Sequence, residues 1–237
     1  MSGHSKWSTI KREKGAKDAK RGAVFTRLGN QIAVAAKAGA DPTMNATLAM
    51  AVEKARQANM PKDNIQRSID RAADKNAAQL EEIVYEGYGP EGVGIIIEVA
   101  TDNRNRTLPE VKTALIKNGG RIADAGSVMF QFERKGVIRI GEVGEETLLT
   151  VLEAGAEDAV EEDGEMTIYT ELTDFMKVRT ALVESGLQVL DAELQYVPNV
   201  SVDIDDADIS NKVLKIMDAL DDLEDVVNVH TNANITI

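Results

Sequence analysis

The stretch Val93-Gly-Ile-Ile-Ile-Glu-Val99 decides the fold of this chain because it is nearly continuous in β-branched residues. Such a run predicts a strand that is buried on both faces or nearly so. A helix is predicted for residues 107–118, ended by Gly119-Gly120, and a second strand for residues 128–133. This strand, helix and second strand are incomplete alone, so their sheet must gain strands from elsewhere in the chain.

The next stretch, residues 137–204, supplies a full set of elements of its own. Its pattern predicts a βαββαβ order, which is that of a ferredoxin-like sandwich. The predicted elements are a strand at 137–140, a helix at 145–154, a hairpin at 157–171 turned at Asp163-Gly164, a helix at 172–185 and a strand at 187–197. Only a helix at 209–220 and a strand at 226–237 remain, and we expect them to rejoin the incomplete unit.

Upstream of these strands the apolar spacing is helical. Residues 16–38 predict a helix with Val24, Leu28, Ile32 and Ala35 on one side. A second helix is expected after a cap at Asp41-Pro42-Thr43, a third after Pro61, and a linker at 75–82. The predicted fold class is therefore α+β, with a basic three-helix domain (1–79), a split ferredoxin-like α/β domain (80–135 plus 206–237) and an inserted acidic ferredoxin-like domain (136–205).

Composition narrows the class of protein. The 237 residues contain no cysteine, which excludes disulfides and thiolate chemistry and fits a reducing compartment. No apolar run has the length of a membrane span, and no apolar segment follows the N-terminal cations as in a secretory signal. We expect a soluble, cytoplasmic monomer that makes no membrane contact.

Charge is divided along the chain. The protein carries −13 overall, yet residues 1–30 hold eight Lys and Arg against two Asp and Glu, a net of +6. Up to Gln79 the net charge is +8, and beyond it −21. A dense cationic segment in an acidic protein is typical of one that neutralises a polyanion. Trp7, the only tryptophan, can stack on an unpaired base; alternatively it fixes the N-terminus to its domain and the charges form a solvated face.

A second candidate contact is Asp102-Asn-Arg-Asn-Arg-Thr107, between a predicted strand and a predicted helix. Such loops gather ligands, and two arginines with two asparagines suit phosphate and base edges. Lys117 and Arg121 would extend the same basic region. The alternative is structural: Asp102 or Thr107 caps the helix, and the arginines pair with nearby acids. The sequence leaves these two interpretations open.

Catalytic and cofactor motifs do not fit their structural contexts. The segment Gly87-Tyr-Gly-Pro-Glu-Gly92 matches G-x-G-x-x-G, but it precedes a strand, so a turn or surface loop is the better interpretation. His4 and His230 lack the spacing of a helical zinc site. The acidic run from Asp203 lacks the Gly and Glu of a calcium loop, which favours a solvated face. We expect no enzymatic activity, no metal and no cofactor.

Several long motifs, in order and spanning nearly the whole chain, resemble the YebC family. They are Gly3-His-Ser-Lys-Trp7, Asp18-Ala-Lys-Arg21 leading to Phe25-Thr26, Asn59-Met-Pro-Lys-Asp-Asn-Ile65, Tyr85-Glu-Gly-Tyr-Gly-Pro90, Thr101-Asp-Asn-Arg-Asn-Arg-Thr107, Gly126-Ser-Val128 and Ala154-Gly-Ala-Glu-Asp158. The resemblance implies three domains and a cytoplasmic regulator, described both as a DNA-binding transcriptional regulator and as a translation factor for ribosomes stalled at proline runs. A mitochondrial relative is a translational activator of cytochrome c oxidase. The family's Asn-Pro-Arg-Leu is Asn45-Ala-Thr-Leu48 here, which weakens a phosphate-binding role for the second helix.

The first hypothesis is a nucleic-acid-binding regulator whose partner is DNA or ribosomal RNA, with the ribosome as a candidate assembly. A basic arm with one aromatic suits RNA at least as well as duplex DNA, because no helix-turn-helix spacing is evident. The predicted contacts are Lys6, Trp7, Lys11, Arg12, Lys14, Lys17, Lys20, Arg21 and Arg27, with Arg104 and Arg106 as a second contact across a cleft between domains. The alternative is a protein-docking module that uses the acidic domain without nucleic-acid contact.

Overall fold

The computed structural model describes residues 21–73, 80–162 and 164–236. The mixed α+β class is confirmed: a helical part precedes two antiparallel sheets. The described chain forms two compact units. One, the inserted unit, is Glu133–Val197, and the other combines the described residues before it with Pro198–Ile237. Among the described residues, no helix is both long and apolar enough to cross a lipid bilayer.

The helical part consists of α1 (Arg21–Ala36), α2 (Ala46–Gln57) and α3 (Lys62–Ala73). Its core is aliphatic, as the helical spacing predicted, and includes Leu28, Ile32, Leu48, Val52, Ile65 and Ile69. The expected cap of α2 is wrong. Asn45, not Asp41, accepts the Leu48 N–H at 3.1 Å, whereas the Asp41 carboxylate closes the preceding turn on Thr43. Asn59 connects α2 to α3 with a positive φ of 59°, which asparagine tolerates better than most residues.

The split sheet consists of β1 (Glu81–Tyr88), β2 (Gly94–Thr101), β3 (Arg121–Ala123) and β9 (Val226–Thr231). The strand order is β3-β1-β2-β9, and neighbouring strands pair in antiparallel fashion. Two helices, α4 (Arg104–Lys117) and α7 (Ala207–Asp221), pack on one face against Ile95, Ile97 and Val99. On the opposite face Ile96 and Ala100 are also buried, so the predicted burial of both faces of this strand is confirmed.

Sequence reasoning missed β1, whose first residues fall within the predicted linker. The strand pairs with β2 through a tight connection that contains a 3₁₀ turn at Pro90–Gly92. The Gly-rich motif is thus part of a hairpin, in agreement with the turn predicted for it. Counting only the strands of its four-stranded sheet, the split domain has the connectivity ββαβ before the insertion and αβ after it. It shares the two-layer architecture of a ferredoxin-like domain but not the βαββαβ order.

The prediction of two separate strands, at 128–133 and 137–140, is wrong. Residues Met129–Gln131 form a 3₁₀ turn, and one continuous strand, β4 (Phe132–Ile140), follows. The remaining elements of the inserted unit are α5 (Glu145–Glu153), β5 (Asp158–Glu162), β6 (Glu165–Thr170), α6 (Phe175–Glu184) and β7 (Val189–Pro198). Its sheet has the order β5-β6-β4-β7, which is the strand order expected for the ferredoxin-like prediction.

The inserted unit leaves and rejoins the rest of the chain at neighbouring points. The Asn199 N–H donates to the Gln131 carbonyl oxygen at 2.8 Å, so the two connecting segments are hydrogen-bonded to each other. Strand β8 (Val202–Ile204) then pairs in parallel with β10 (Ala233–Ile235) in a small third sheet. The helical part and the split sheet belong to the same compact unit, because α1 contacts β9 and β2. The three predicted domain boundaries therefore stay a prediction.

Candidate nucleic-acid interface

Most of the predicted nucleic-acid contacts fall in the N-terminal segment. Seven of them lie outside the described residues: Lys6, Trp7, Lys11, Arg12, Lys14, Lys17 and Lys20. Arg21 begins α1, but its side chain is outside the description as well. The structure therefore places three of the predicted side chains, those of Arg27, Arg104 and Arg106.

Arg27 fixes helix α1 to the split domain. Its guanidinium forms an ion pair with Asp221 at the end of α7, and the two side chains are only 14% and 16% exposed. Two neighbours reach the same region, where Asn30 and Gln31 approach the carbonyl oxygens of Glu224 and Val227 at 3.5 Å. Because its charge is already neutralised at a largely buried contact, Arg27 acts first as a packing residue.

Arg104 and Arg106 occupy the first turn of α4 and not a loop. The helix is capped by Asn103, whose side-chain oxygen accepts the Arg106 N–H at 3.2 Å, so neither Asp102 nor Thr107 supplies the side-chain cap. Arg104 lies 3.8 Å from Glu81, and both side chains are more than 60% exposed. A pair this exposed contributes little stability and can exchange its partner for a phosphate.

Arg106 belongs to a buried hydrogen-bond network centred on Asp225. Its Nη2 donates to the two carboxylate oxygens of Asp225 at 2.7 and 2.9 Å and lies 3.4 Å from Asp102. The hydroxyls of Thr101 and Thr107 donate to the same carboxylate at 3.0 and 2.6 Å. The geometry thus matches the structural interpretation of this motif for Arg106.

The ionisation of Asp225 reflects opposing effects. Burial raises the pKa of this carboxyl, but the hydrogen bonds from Thr107, Arg106 and Thr101 outweigh burial and hold the pKa below its ordinary value. The hydrogen bond and charge of Asp225 in turn raise the pKa of Arg106. Asp225 is therefore ionised at neutral pH, and the network is a fixed junction between β2, α4 and the turn before β9.

The proposed extension of this basic region to Lys117 and Arg121 is wrong. Lys117 is the last residue of α4, so it lies about 20 Å along the helix from Arg104. Arg121 stacks on the ring of Tyr88 with its guanidinium carbon 4.5 Å from the ring centroid. The helix length therefore separates the two pairs of cations.

A cleft that sequence reasoning did not anticipate lies between α1 and α3. We call it the α1–α3 cleft; it has a volume of about 340 Å³ and is shallow and widely open to solvent. Residues 21–73, which form it, hold eight Lys and Arg against four Asp and Glu. The lining combines apolar, amide and guanidinium groups, principally those of Phe25, Asn30, Met60, Asn64, Arg67 and Arg71.

The polar groups of the cleft are weakly engaged. Asn30 is only 5% exposed, yet its side-chain hydrogen bonds, to the Glu224 carbonyl and from Arg71, measure 3.5 and 3.4 Å. Arg71 lies 3.5 Å from Asp102. Among the described residues Arg67 contacts no carboxylate; it donates to the Asp63 carbonyl oxygen at 3.2 Å and to the Asn64 side chain. The i, i+4 spacing of Arg67 and Arg71 is visible in the sequence. The cleft itself forms through the packing of α1 on α3, which the sequence does not show.

In the part of the chain that the structure describes, no group of three or more histidine, aspartate or glutamate side chains is arranged to hold a metal ion. His230 instead pairs with Glu98 on the adjacent strand at 3.0 Å.

Comparison with known proteins places this fold and these motifs in a family. Two family models match, one described as the TACO1/YebC protein N-terminal domain, over residues 5–75, and one as the TACO1/YebC second and third domain, over residues 80–233. A crystal structure of a conserved hypothetical protein from Aquifex aeolicus superposes with a TM-score of 0.86 at 39% identity, covering 93% of each chain.

Curated relatives match over nearly their full length. A protein of Rubrobacter xylanophilus is 49% identical over 100% of this chain and 96% of its own, and one of Treponema denticola is 48% identical over 99% and 97%. A third, from Halothermothrix orenii, is 45% identical over 99% and 96%. Each of the three is named a probable transcriptional regulatory protein. This chain belongs to the TACO1/YebC family.

Proposed function

We propose that this protein is a non-enzymatic, nucleic-acid-binding regulator of gene expression. The observation that carries the proposal is the separation of charge, +8 up to Gln79 and −21 beyond it. Cations on one part of an otherwise acidic chain bind phosphate and restrict the approach of a polyanion to that part, because the acidic remainder of the chain repels it. The names of the relatives, probable transcriptional regulatory protein, agree with a regulatory role.

The proposed contacts differ in their roles. The lysines and arginines of residues 6–21 hold phosphates, and Trp7 stacks on an unpaired base. Arg104, exposed and only loosely paired with Glu81, supplies a second phosphate contact. Arg27 and Arg106 serve the interface by holding α1 and α4 in place through Asp221 and Asp225.

The experiment that tests nucleic-acid binding is the salt dependence of affinity. Wild-type protein and the Lys20→Ala, Arg21→Ala double variant are titrated with a duplex and a single-stranded oligonucleotide at a series of salt concentrations. Removing one cation that neutralises a phosphate lowers the log–log slope by roughly one on duplex and about 0.7 on a single strand. The double variant should therefore lower the slope on duplex by roughly two. An unchanged slope would remove these two residues from the interface.

The target is proposed to be RNA, with ribosomal RNA as the candidate that a basic arm with one aromatic suits best. The test is ultraviolet crosslinking in growing cells followed by sequencing of the nucleic acid retained on the protein. Enrichment of ribosomal RNA supports a role in translation, for which we propose relief of stalling at proline runs. Enrichment of discrete DNA sites assigns the transcriptional role that the names of the relatives state.

A second candidate function, docking on a basic protein partner, is favoured by one face of the inserted unit. Helix α5 exposes Leu148, Leu149 and Leu152 by 37%, 61% and 47%. The unit as a whole carries 16 Asp and Glu against 5 Lys and Arg. Deleting residues 1–14 discriminates the two functions, because it should abolish retention of nucleic acid under the first and leave partner binding intact under the second.

A further inference from the structure

We propose that the α1–α3 cleft binds one unpaired nucleotide, with its phosphate on Arg67 and Arg71 and its base against Phe25 and Met60. This inference rests on the proposed nucleic-acid binding and assigns a site for it inside the described structure. The shared chemistry is an unstacked base with its phosphate, from an RNA or a DNA strand. The first turn of α4 does not contribute to the lining of this cleft.

The size and lining of the cleft select the ligand class. A volume of about 340 Å³ is at the lower end of small-ligand sites and matches the size of one nucleotide. Phe25 and Met60 give the cleft an apolar surface. Flat bases pack on such surfaces once they are unstacked from their neighbours.

The charges favour an anion beside that apolar surface. Arg67 and Arg71 stand one turn apart on α3, so their side chains project from the same face of the helix. Arg67 donates to neutral oxygens, and Arg71 holds Asp102 at 3.5 Å with both side chains about one-third exposed. Such a pair contributes little, so a phosphate can replace it without a large cost.

The amides supply base-edge recognition. Asn30 is 95% buried in the side of the cleft, but its two hydrogen bonds are longer than the 2.7–3.2 Å of ordinary protein hydrogen bonds. A buried amide that is held this loosely gains by donating to and accepting from a base edge. Asn64, on α3, offers a second amide, whose NH2 group can donate to a base while its oxygen accepts from Arg67.

The experiment uses the full chain with two kinds of probe. The first is an unstructured short RNA and the DNA strand of the same sequence, each titrated at fixed salt. The second is adenosine 5′-monophosphate, with adenosine and inorganic phosphate as separate titrants, followed by amide chemical shifts. We expect the monophosphate to shift the amides around Phe25 and Asn30, and adenosine or phosphate alone to bind about tenfold more weakly or worse.

Three variants separate the cleft from general electrostatics. Arg67→Gln removes a cleft cation, Phe25→Leu removes the ring while keeping an apolar side chain, and Arg56→Gln removes an exposed cation of α2 outside the cleft. We expect Phe25→Leu to weaken oligonucleotide binding about fivefold or more, which corresponds to one stacked base, and Arg67→Gln to weaken it more than Arg56→Gln does. Circular dichroism checks that the Phe25→Leu variant folds. Arg67 is exposed, so the affinity of the Arg67→Gln variant tests the cleft without a change to the core.

The outcomes distinguish the two proposals. If the wild type binds the oligonucleotides and both cleft variants behave like Arg56→Gln, the cleft assignment is overturned and the proposed function stands. If the wild type binds no oligonucleotide, both are overturned. If both cleft variants bind more weakly, the cleft assignment is supported. Equal affinity of the wild type for RNA and DNA strands then indicates recognition of base and phosphate alone. A preference for RNA adds the ribose 2′-hydroxyl to the contacts.

Discussion

Replacement of Asp225 tests the network at the start of α4 most directly. Its side chain is 8% exposed and accepts hydrogen bonds from Thr101, Thr107 and Arg106. In Asp225→Ala the Thr107 hydroxyl can turn to the Asn103 carbonyl oxygen at 3.0 Å, and Arg106, about half exposed, is rehydrated. The Thr101 hydroxyl is completely buried and loses the carboxylate to which it donates, but it keeps the neutral Thr107 hydroxyl oxygen, 2.8 Å away, as an acceptor.

These hydrogen bonds set the size of the effect. A hydrogen bond to a charged group contributes about 1.5–3 kcal/mol, and in Asp225→Ala the three donors exchange the carboxylate for neutral or hydrated partners. We therefore expect a total destabilisation of about 3 kcal/mol at pH 7. Asp225→Asn keeps the size and one acceptor, so about half that destabilisation is expected. Arg106→Gln should cost about 1 kcal/mol, because half of its guanidinium is in water.

The pH dependence gives an independent measurement. The folded pKa of Asp225 lies below its unfolded value, so its contribution is present above the ordinary aspartate pKa of about 3.9 and disappears as pH falls through the folded value. Urea denaturation followed by circular dichroism at pH 7 and pH 3 measures this, with amide exchange of β2 and α4 as the local signal. A destabilisation below about 1 kcal/mol for Asp225→Ala, or a difference between wild type and Asp225→Asn that is the same at both pH values, would refute the reasoning.

Two further predictions concern the inserted unit. Gly136→Ala should lower the free energy of unfolding by about 2–3 kcal/mol or more, because an added methyl group would lie 2.8 Å from Cγ of Phe175. Gly141→Ala is the matched control, because an added methyl group there would meet no atom nearer than 3.7 Å. Its free energy of unfolding should change little in the same urea titration. Lys135→Met should lower stability by about 1 kcal/mol at pH 7, because Lys135 is 10% exposed and donates to Glu171 at 2.8 Å. The hydrogen bond from Lys135 lowers the pKa of Glu171, so the destabilisation should shrink below about pH 4, and one that grows at acid pH would contradict this.

The sequence predicted the elements whose apolar pattern is long and regular. Strand β2 and the order of the inserted unit follow from β-branched runs and a hairpin turn, and the helical part follows from 3.6-residue spacing. Strand β1 was missed because its sequence, EEIVYEGY, carries three glutamates. One of them, Glu86, is buried and accepts the N–H groups of Val128 and Met129 at 2.6 and 2.8 Å, so its partners lie about forty residues away.

The candidate site was less predictable because its hydrogen-bond partners also lie far apart in the sequence. The pattern placed Arg106 at the start of a helix, but its main partner, Asp225, is 119 residues further along the chain. No spacing rule connects the two, because the insertion and its flanking strands lie between them. The α1–α3 cleft likewise depends on how closely two helices approach, and an added methyl at Gly29 would already lie 3.0 Å from the Ser68 hydroxyl.

The hydrogen bond between Asn199 and Gln131 has a consequence for the order in which the chain folds. When the inserted unit is unfolded, joining these two residues closes a flexible loop of about 70 residues, but a folded insert brings its own ends together. The loop that remains is then only a few residues long, which lowers the entropic cost of assembling the split sheet by about 2–3 kcal/mol. Early folding of the inserted unit therefore favours the pairing of β9 with β2 and the packing of α7 on the split sheet. A mutation that destabilises the inserted unit should also lower the stability of the split sheet, although the inserted unit contributes no strand to it.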